Sequence, residues 1–264
     1  MTFLADILDT KRSEIKLLHE AQDDASWREK CRGLPRPRGF VNALRASGAP
    51  ALIAEIKRKS PSKGVIAVDF DPLAVASAYE AAGATALSVL TDREWFGGSA
   101  RVLQDVRAHV SLPILRKDFI IDPVQVYETR AMGADALLLI IAALSQTEYE
   151  SLYALARSLD LDVLVEVHSR EEWRRASAVQ PELVGINNRD LATFDVSLTT
   201  TEDVAAIIHE GVCLVAESGI ATAADVRRVL SAGAHAILVG ETLMRAGVQR
   251  IPEVVADLTA GVRA

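Results

Sequence analysis

Residues 131–140, AMGADALLLI, decide the fold: a turn of small residues around Gly133 runs straight into an unbroken apolar stretch. Glycine there supplies the left-handed residue that ends a helix. Consecutive rather than alternating apolar positions suit a parallel strand covered on both faces. The same turn recurs as AAGATAL at 81–87 and SAGAHAI at 231–237, so one helix-to-strand unit repeats with drift. Strand-like runs stand at 51–57 (ALIAEIK), 85–90 (TALSVL), 112–117 (LPILRK), 134–140 (ADALLLI), 162–167 (DVLVEV), 183–187 (LVGIN), 212–217 (VCLVAE) and 235–240 (HAILVG). Most of the segments between them have helical periodicity with charged faces.

Right-handed crossovers at this spacing fit a closed barrel or an open doubly wound sheet. Eight units favour closure, so the fold class is α/β, a single (β/α)8 TIM barrel, and 264 residues match the roughly 250 that such a barrel needs. The expected organisation is one domain over 1–264, with the barrel at 49–264 and a helical extension at 1–48. That extension holds two amphipathic stretches, 2–19 and 26–47, the second punctuated by Pro35 and Pro37. It is expected to cover one end of the core or to help wall the active site.

With 50% hydrophobic and 25% charged residues the chain can fill a large core and still carry a solvated shell. A formal charge of −7 and a pI of about 5.3 disfavour nucleic acid and anionic membranes as partners, while leaving room for a local basic pocket. Cys31 and Cys213 are far apart and read as reduced thiols. Asp6, Asp9, Lys11, Arg12 and Glu14 interrupt what a secretory signal would need to be apolar. The apolar run 136–144 is far shorter than the ~20 residues of a membrane helix. A cytoplasmic protein is expected.

Charged residues are excluded from the interior of such strands and tolerated at their ends, and it is the carboxyl ends that carry the chemistry of these barrels. Here they hold Glu55, Lys57, Lys117, Glu166, Asn187, Arg189 and Glu217. A rim ion pair would account for any one of them, but not for so one-sided a set. Residues two apart on a strand share a face, so Glu55 pairs with Lys57 and Asn187 with Arg189.

After the seventh and eighth runs come Glu217-Ser218-Gly219-Ile220 and Val239-Gly240-Glu241-Thr242, two glycine turns that each precede a helical stretch. Backbone N–H groups at such turns attract anions, and this is the usual phosphate position of the fold. A small phosphorylated substrate is therefore expected. Ser60, in KRKSPSKG at 57–64, offers a further hydroxyl or is simply a turn residue held by Pro61; the basic segment 58–67 is expected to be a mobile loop. His19, His109, His168, His209 and His235 show no metal-ligand spacing, so no metal is expected. Without a dinucleotide or nucleoside-triphosphate fingerprint, no cofactor is expected either.

At these residues the chain resembles the indole-3-glycerol phosphate synthase family. The likeness runs through AEIKRKSPSKG (54–64), SVLTDREWFGGS (88–99), LRKDFIID (115–122), VEVH (165–168), GINNRDL (185–191), AESGI (216–220) and VGETLM (239–244). It implies ring closure, decarboxylation and dehydration of 1-(2-carboxyphenylamino)-1-deoxyribulose 5-phosphate, a carboxy-lyase step of tryptophan biosynthesis, with no cofactor. By the same resemblance Lys117 is the acid, Lys57 pairs with the substrate carboxylate, Glu166 is an acid or base, and Glu55 and Asn187 orient these groups, with Glu217 also in the catalytic set. Arg189 is expected to bind substrate. Phe96, Phe119, Leu138 and Leu191 would form an apolar slot for the aromatic ring, or merely pack the barrel mouth. Ser60, Ser218, Gly219, Gly240 and Glu241 would hold the phosphate, the last through its backbone N–H.

Two other readings stay open at this point: a sugar-phosphate isomerase of the same pathway, which would use a Cys or Asp acid/base pair, and a non-catalytic barrel that binds a phosphorylated metabolite. Formation of the indole product separates them. The expected state is a monomer or weak homo-oligomer, with contact to a neighbouring pathway enzyme left open.

Overall fold

A computed structural model of the chain describes residues 3–47, 50–61, 63–66, 70–191 and 193–261. Eight parallel strands close into a barrel: β1 (Ala51–Ile56), β2 (Ala86–Leu90), β3 (Ile114–Lys117), β4 (Ala136–Ile140), β5 (Asp162–Val167), β6 (Leu183–Asn187), β7 (Cys213–Glu217) and β8 (Ala236–Val239). Neighbours in sequence are neighbours in space, and β1 completes the circle by pairing with β2 (Ile53 with Ala86) and with β8 (Ala51 with Ala236). The helices are α1 (Phe3–Ala21), α2 (Asp24–Cys31), α3 (Phe40–Ala46), α4 (Pro72–Ala81), α5 (Ala100–His109), α6 (Pro123–Met132), α7 (Gln146–Ser158), α8 (Arg170–Ala176), α9 (Thr199–Ala205), α10 (Ala223–Ser231), α11 (Glu241–Ala246) and α12 (Ile251–Leu258).

Local chemistry sets the helix ends. Asp122, Ser145 and Thr222 each accept a backbone N–H of the first turn, while Gln125, Glu148 and Asp225 reach back to the cap residue, the reciprocal arrangement that satisfies otherwise orphaned donors. Gly133 takes the left-handed conformation (φ 83°) that ends α6 and turns the chain into β4.

Pro35 and Pro37 divide the second stretch of the extension: α2 stops at Cys31 and α3 starts at Phe40, because these residues lack the N–H that a helix interior needs. The segment after β1 is not simply a loop, since Lys59–Ser60 pairs antiparallel with Gly64–Val65. Residues 62 and 67 of the segment expected to be mobile lie outside the described residues.

Strand side chains alternate. Ile53, Leu115, Leu138, Leu164, Val215 and Leu238 point into the barrel and form a cluster with Phe40, Val41 and Leu44 of α3. Helix α3 thus plugs the amino end. It is pinned there by Asp162, whose carboxylate accepts the Val41 N–H at 2.9 Å, and by Asp135, which accepts the Arg38 N–H at 2.5 Å. The outward-facing residues form two further clusters beneath the surrounding helices. Among the described residues no helix is long and apolar enough to cross a membrane.

Candidate active site

Four charged residues at the mouth each stand two positions beyond a core residue of their own strand: Glu55 after Ile53, Lys117 after Leu115, Glu166 after Leu164, Glu217 after Val215. The alternation that fills the barrel with aliphatic groups therefore raises these side chains out of it, into a cavity of about 590 Å³ at the carboxyl ends. Lys57 and Asn187 line the same cavity.

Lys117 Nζ lies 3.0 Å from Glu166 Oε2 and 3.2 Å from Glu217 Oε2, and Lys57 donates to Glu55 Oε2. Burial works against the Lys117 ammonium, but Glu166, Glu217 and Glu55 together outweigh it and hold the group above the usual lysine range. The two carboxylates that share Lys117 differ. Burial would raise Glu166, yet Lys117 and His168 overcome this and keep it well below the usual range. Burial raises Glu217 to about 7; Lys117 opposes the rise, while the nearby Glu166 and Glu55 charges add to it.

Space for these carboxylates comes from two glycines. A methyl group on Gly185 of β6 would overlap Glu217 Oε1, and one on Gly240, just past β8, would overlap Glu55 Oε2. The barrel is narrow enough that an acidic side chain on one strand requires the absence of a side chain on its neighbour.

Beside the cluster, Ser218 (φ 64°) and Gly219 (φ 76°) adopt left-handed backbone after β7. The turn is fixed by Asn188, whose Nδ2 donates to Glu217 O at 3.0 Å and to Ser218 O at 3.1 Å. Thr242 Oγ1 donates to Ile220 O at 2.9 Å and so ties this turn to the one after β8. Helix α11 begins at Glu241, and the N–H groups of a first helical turn have no carbonyl of their own helix to meet. The Glu241 side chain turns away to Arg245, 2.9 Å distant. Ser60 lines the cavity with Ser218, Gly219, Gly240 and Glu241.

The apolar side of the cavity carries Phe96 and Phe119, with ring centroids 6.2 Å apart, together with Leu138 and Leu191. Arg189 also reaches it, with its backbone N–H held by Asn187 Oδ1 at 3.1 Å and its guanidinium donating to Phe194 O at 3.2 Å. All the site residues named from the sequence thus surround one space.

Some residues of this space were not found in the sequence. Phe3, Leu4 and Ile7 of α1 line the cavity, so the extension walls the mouth while α3 plugs the base. Phe3 packs edge-on against Trp95 (4.9 Å) and Phe194 (5.0 Å). Lys11, one turn beyond Ile7, is 2% exposed and meets Asp92 at 2.7 Å and Asp118 at 2.8 Å. Each aspartate also shapes a turn that presents an aromatic residue: Asp92 Oδ1 accepts the Phe96 N–H at 3.1 Å, and Asp118 Oδ1 accepts the Phe119 N–H at 2.8 Å. A signal did exist, because Lys11 interrupts the buried stripe Ile7, Lys11, Ile15 of an amphipathic helix.

A closed parallel barrel with lysines paired to buried carboxylates at its carboxyl ends, next to two linked glycine turns, defines a (β/α)8-barrel enzyme of the acid–base kind. A family model described as indole-3-glycerol phosphate synthase matches residues 4–252. The chain is 50% identical over 244 residues to an indole-3-glycerol phosphate synthase of Chlorobium phaeovibrioides, spanning 92% of this chain and 95% of that one. With another of that name from Chromobacterium violaceum it shares 52% over 242 residues, spanning 90% and 91%. The chain belongs to the indole-3-glycerol phosphate synthase family. More distant solved structures share the fold alone. A mandelate oxidase matches with a TM-score of 0.60 at 19% identity (82% of this chain, 72% of that one). A tryptophan synthase alpha-subunit from Pyrococcus furiosus gives 0.58 at 15% (79% and 97%).

Proposed function

We propose that this chain closes the indole ring of indole-3-glycerol phosphate from 1-(2-carboxyphenylamino)-1-deoxyribulose 5-phosphate, releasing carbon dioxide and water. The observation that carries the proposal is Lys117, half-buried and gripped by Glu166 and Glu217 beside the Ser218-Gly219 and Gly240-Glu241 turns.

In the first step the aromatic carbon bearing the carboxylate attacks the ribulose carbonyl, and Lys117 gives a proton to the oxygen that would otherwise become an alkoxide. Lys57 pairs with the substrate carboxylate and holds the two carbons together, so that proximity lowers the barrier. Loss of carbon dioxide restores the aromatic ring. The new hydroxyl then leaves as water, taking up one proton while the intermediate gives up another. Glu166, held ionised, suits the acceptor. Glu217, raised to about 7, can carry a proton at neutral pH, and the pair titrates together through Lys117. Glu55 and Asn187 orient Lys57 and the substrate hydroxyls. Ser60, Ser218, Gly219, Gly240 and the Glu241 N–H take the phosphate, Arg189 binds substrate, and Phe96, Phe119, Leu138 and Leu191 enclose the aromatic ring.

The test is a fluorescence assay for the indole product with the purified chain. Turnover supports the proposal; tight binding of the phosphate ester without product would make the chain a binding protein, and neither binding nor product would remove the substrate from consideration. A single domain and a monomer or weak homo-oligomer remain part of this reading, to be checked by sedimentation.

A further inference from the structure

Glu166 has two oxygens with two different partners. Oε2 faces Lys117. Oε1 faces His168 Nε2 at 3.4 Å, a charge-pair separation rather than a short hydrogen bond. His168 follows β5 two residues after Glu166, on the same face, and its own position is fixed from the other side: Glu172 Oε2, in the first turn of α8, lies 3.0 Å from Nδ1 and accepts the His168 backbone N–H at 2.7 Å. Ser169 caps that helix through the Glu172 N–H at 3.2 Å, so the Glu172 side chain departs from an anchored turn.

We propose that His168 is a positioning residue for Glu166: clamped by Glu172, its ring serves the carboxylate oxygen that Lys117 does not, and keeps Glu166 charged and aimed at the reacting centre.

The geometry favours an imidazolium. Both ring nitrogens face carboxylate oxygens, and a neutral ring would turn a lone pair toward one of them. The ring is 13% exposed, so water screens this arrangement little. Burial disfavours the charge, but Glu166 and Glu172 reverse that effect and raise the ring to about 10. The charged groups around His168 are Glu166 from β5 and Glu172 from α8, with Lys117 of β3 and Glu217 of β7 beyond Glu166.

The consequence concerns the acid–base division of labour. Lys117 sits between two buried carboxylates, and a lysine alone could leave either of them protonated. The second cation on Glu166 breaks the tie: Glu166 stays ionised, and Glu217, with no such partner, holds the proton. His168 therefore decides which carboxylate is the base.

The inference rests on the proposed ring closure, so its test has one readout that needs no turnover. In the ligand-free protein, ¹⁵N–¹H correlation spectra of the His168 ring should show both nitrogens protonated at pH 8; a neutral ring at that pH overturns the proposal even if the enzyme is active. In the assay, His168→Gln keeps a polar side chain but removes the cation. It should lower kcat about tenfold or more with KM nearly unchanged, and shift the acid limb of the kcat profile upward by about one pH unit as Glu166 becomes easier to protonate. Wild-type kcat with an unmoved acid limb overturns the proposal. Should His168→Gln fail to fold, Glu172→Gln decides, with the same acid-limb shift at smaller size expected and an unmoved limb counting against. Absence of turnover in the wild type alongside a protonated ring would sink the reaction assignment and leave the His168–Glu166 pairing standing.

Discussion

Gly185 and Glu217 are complementary across β6 and β7: the hydrogen on the glycine leaves the space that Glu217 Oε1 fills. That oxygen makes no hydrogen bond among the described residues, while Oε2 faces Lys117. A carboxylate held by one oxygen, with the other buried against Gly185 and without a donor, is poorly compensated as an anion. The same packing that admits Glu217 thus also raises it to about 7.

Gly185→Ala is expected to push Glu217 off Lys117. Overpacking a filled interior costs about 1–3 kcal/mol, so urea denaturation should show that loss while kcat falls with KM little changed. Unchanged kcat would mean that the Glu217–Lys117 contact has no part in the chemistry. Gly240→Ala should act likewise through Glu55.

Lys117→Ala should lower kcat by about 10²–10⁴, the usual range for a positioned acid. Lys117→Arg should not restore it, because a guanidinium keeps its proton and presents a planar fork where the site is built for a compact ammonium. Steady-state measurement of both variants checks this, and near-normal turnover in either would remove Lys117 from the mechanism.

The sequence pattern resolves the strands best where they end. β5 and β6 match their apolar runs to the residue, whereas the runs beginning at Thr85, Ala134 and His235 start one or two residues early. Those lead-in segments already bond to the neighbouring strand: Thr85 N–H to Leu52 O, Asp135 N–H to Ile114 O and His235 N–H to Leu214 O, each at 2.8 Å. The active cluster is legible for a physical reason, since a charged residue at the end of an otherwise apolar strand has few places to go except the mouth. Lys11, Asp92 and Asp118 are illegible by the same logic. They come from one helix and two turns, and an amphipathic helix with a lysine in its stripe says nothing about which carboxylates will meet it. His168 is a lone histidine after a strand until Glu172 is seen beside it.

Lys11→Met should be costly in stability and damaging to binding. Asp92 and Asp118 would keep their buried charges without the ammonium between them, and breaking a buried pair costs about 3–5 kcal/mol. Because the same aspartates hold the Phe96 and Phe119 turns, KM should rise as well. Denaturant midpoints and substrate titration check the two effects. A stable variant with unchanged KM would show that α1 is held by its apolar contacts alone.

Stability should fall as the solution turns alkaline, in two separable stages. Glu217 is raised from 4.5 to about 7 in the folded chain, so its contribution is complete below pH 4.5 and is lost as pH climbs to about 7. His168 is raised from 6.5 to about 10, so its contribution is complete below pH 6.5 and is lost as pH climbs to about 10. Glu166 and Asp118, both lowered, act at the other end: their contributions are present above the ordinary carboxylate range and are lost on acidification, for Asp118 down to about 2. The melting temperature should therefore be highest in mildly acidic solution. Glu217→Gln should flatten the decline between about pH 5 and 7 and leave the alkaline stage in place, while His168→Gln should flatten the decline between about pH 7 and 10. If both variants melted along curves parallel to that of the parent chain, neither group would be carrying a shifted proton, and the division of charge between the two carboxylates of Lys117 would have to be drawn differently.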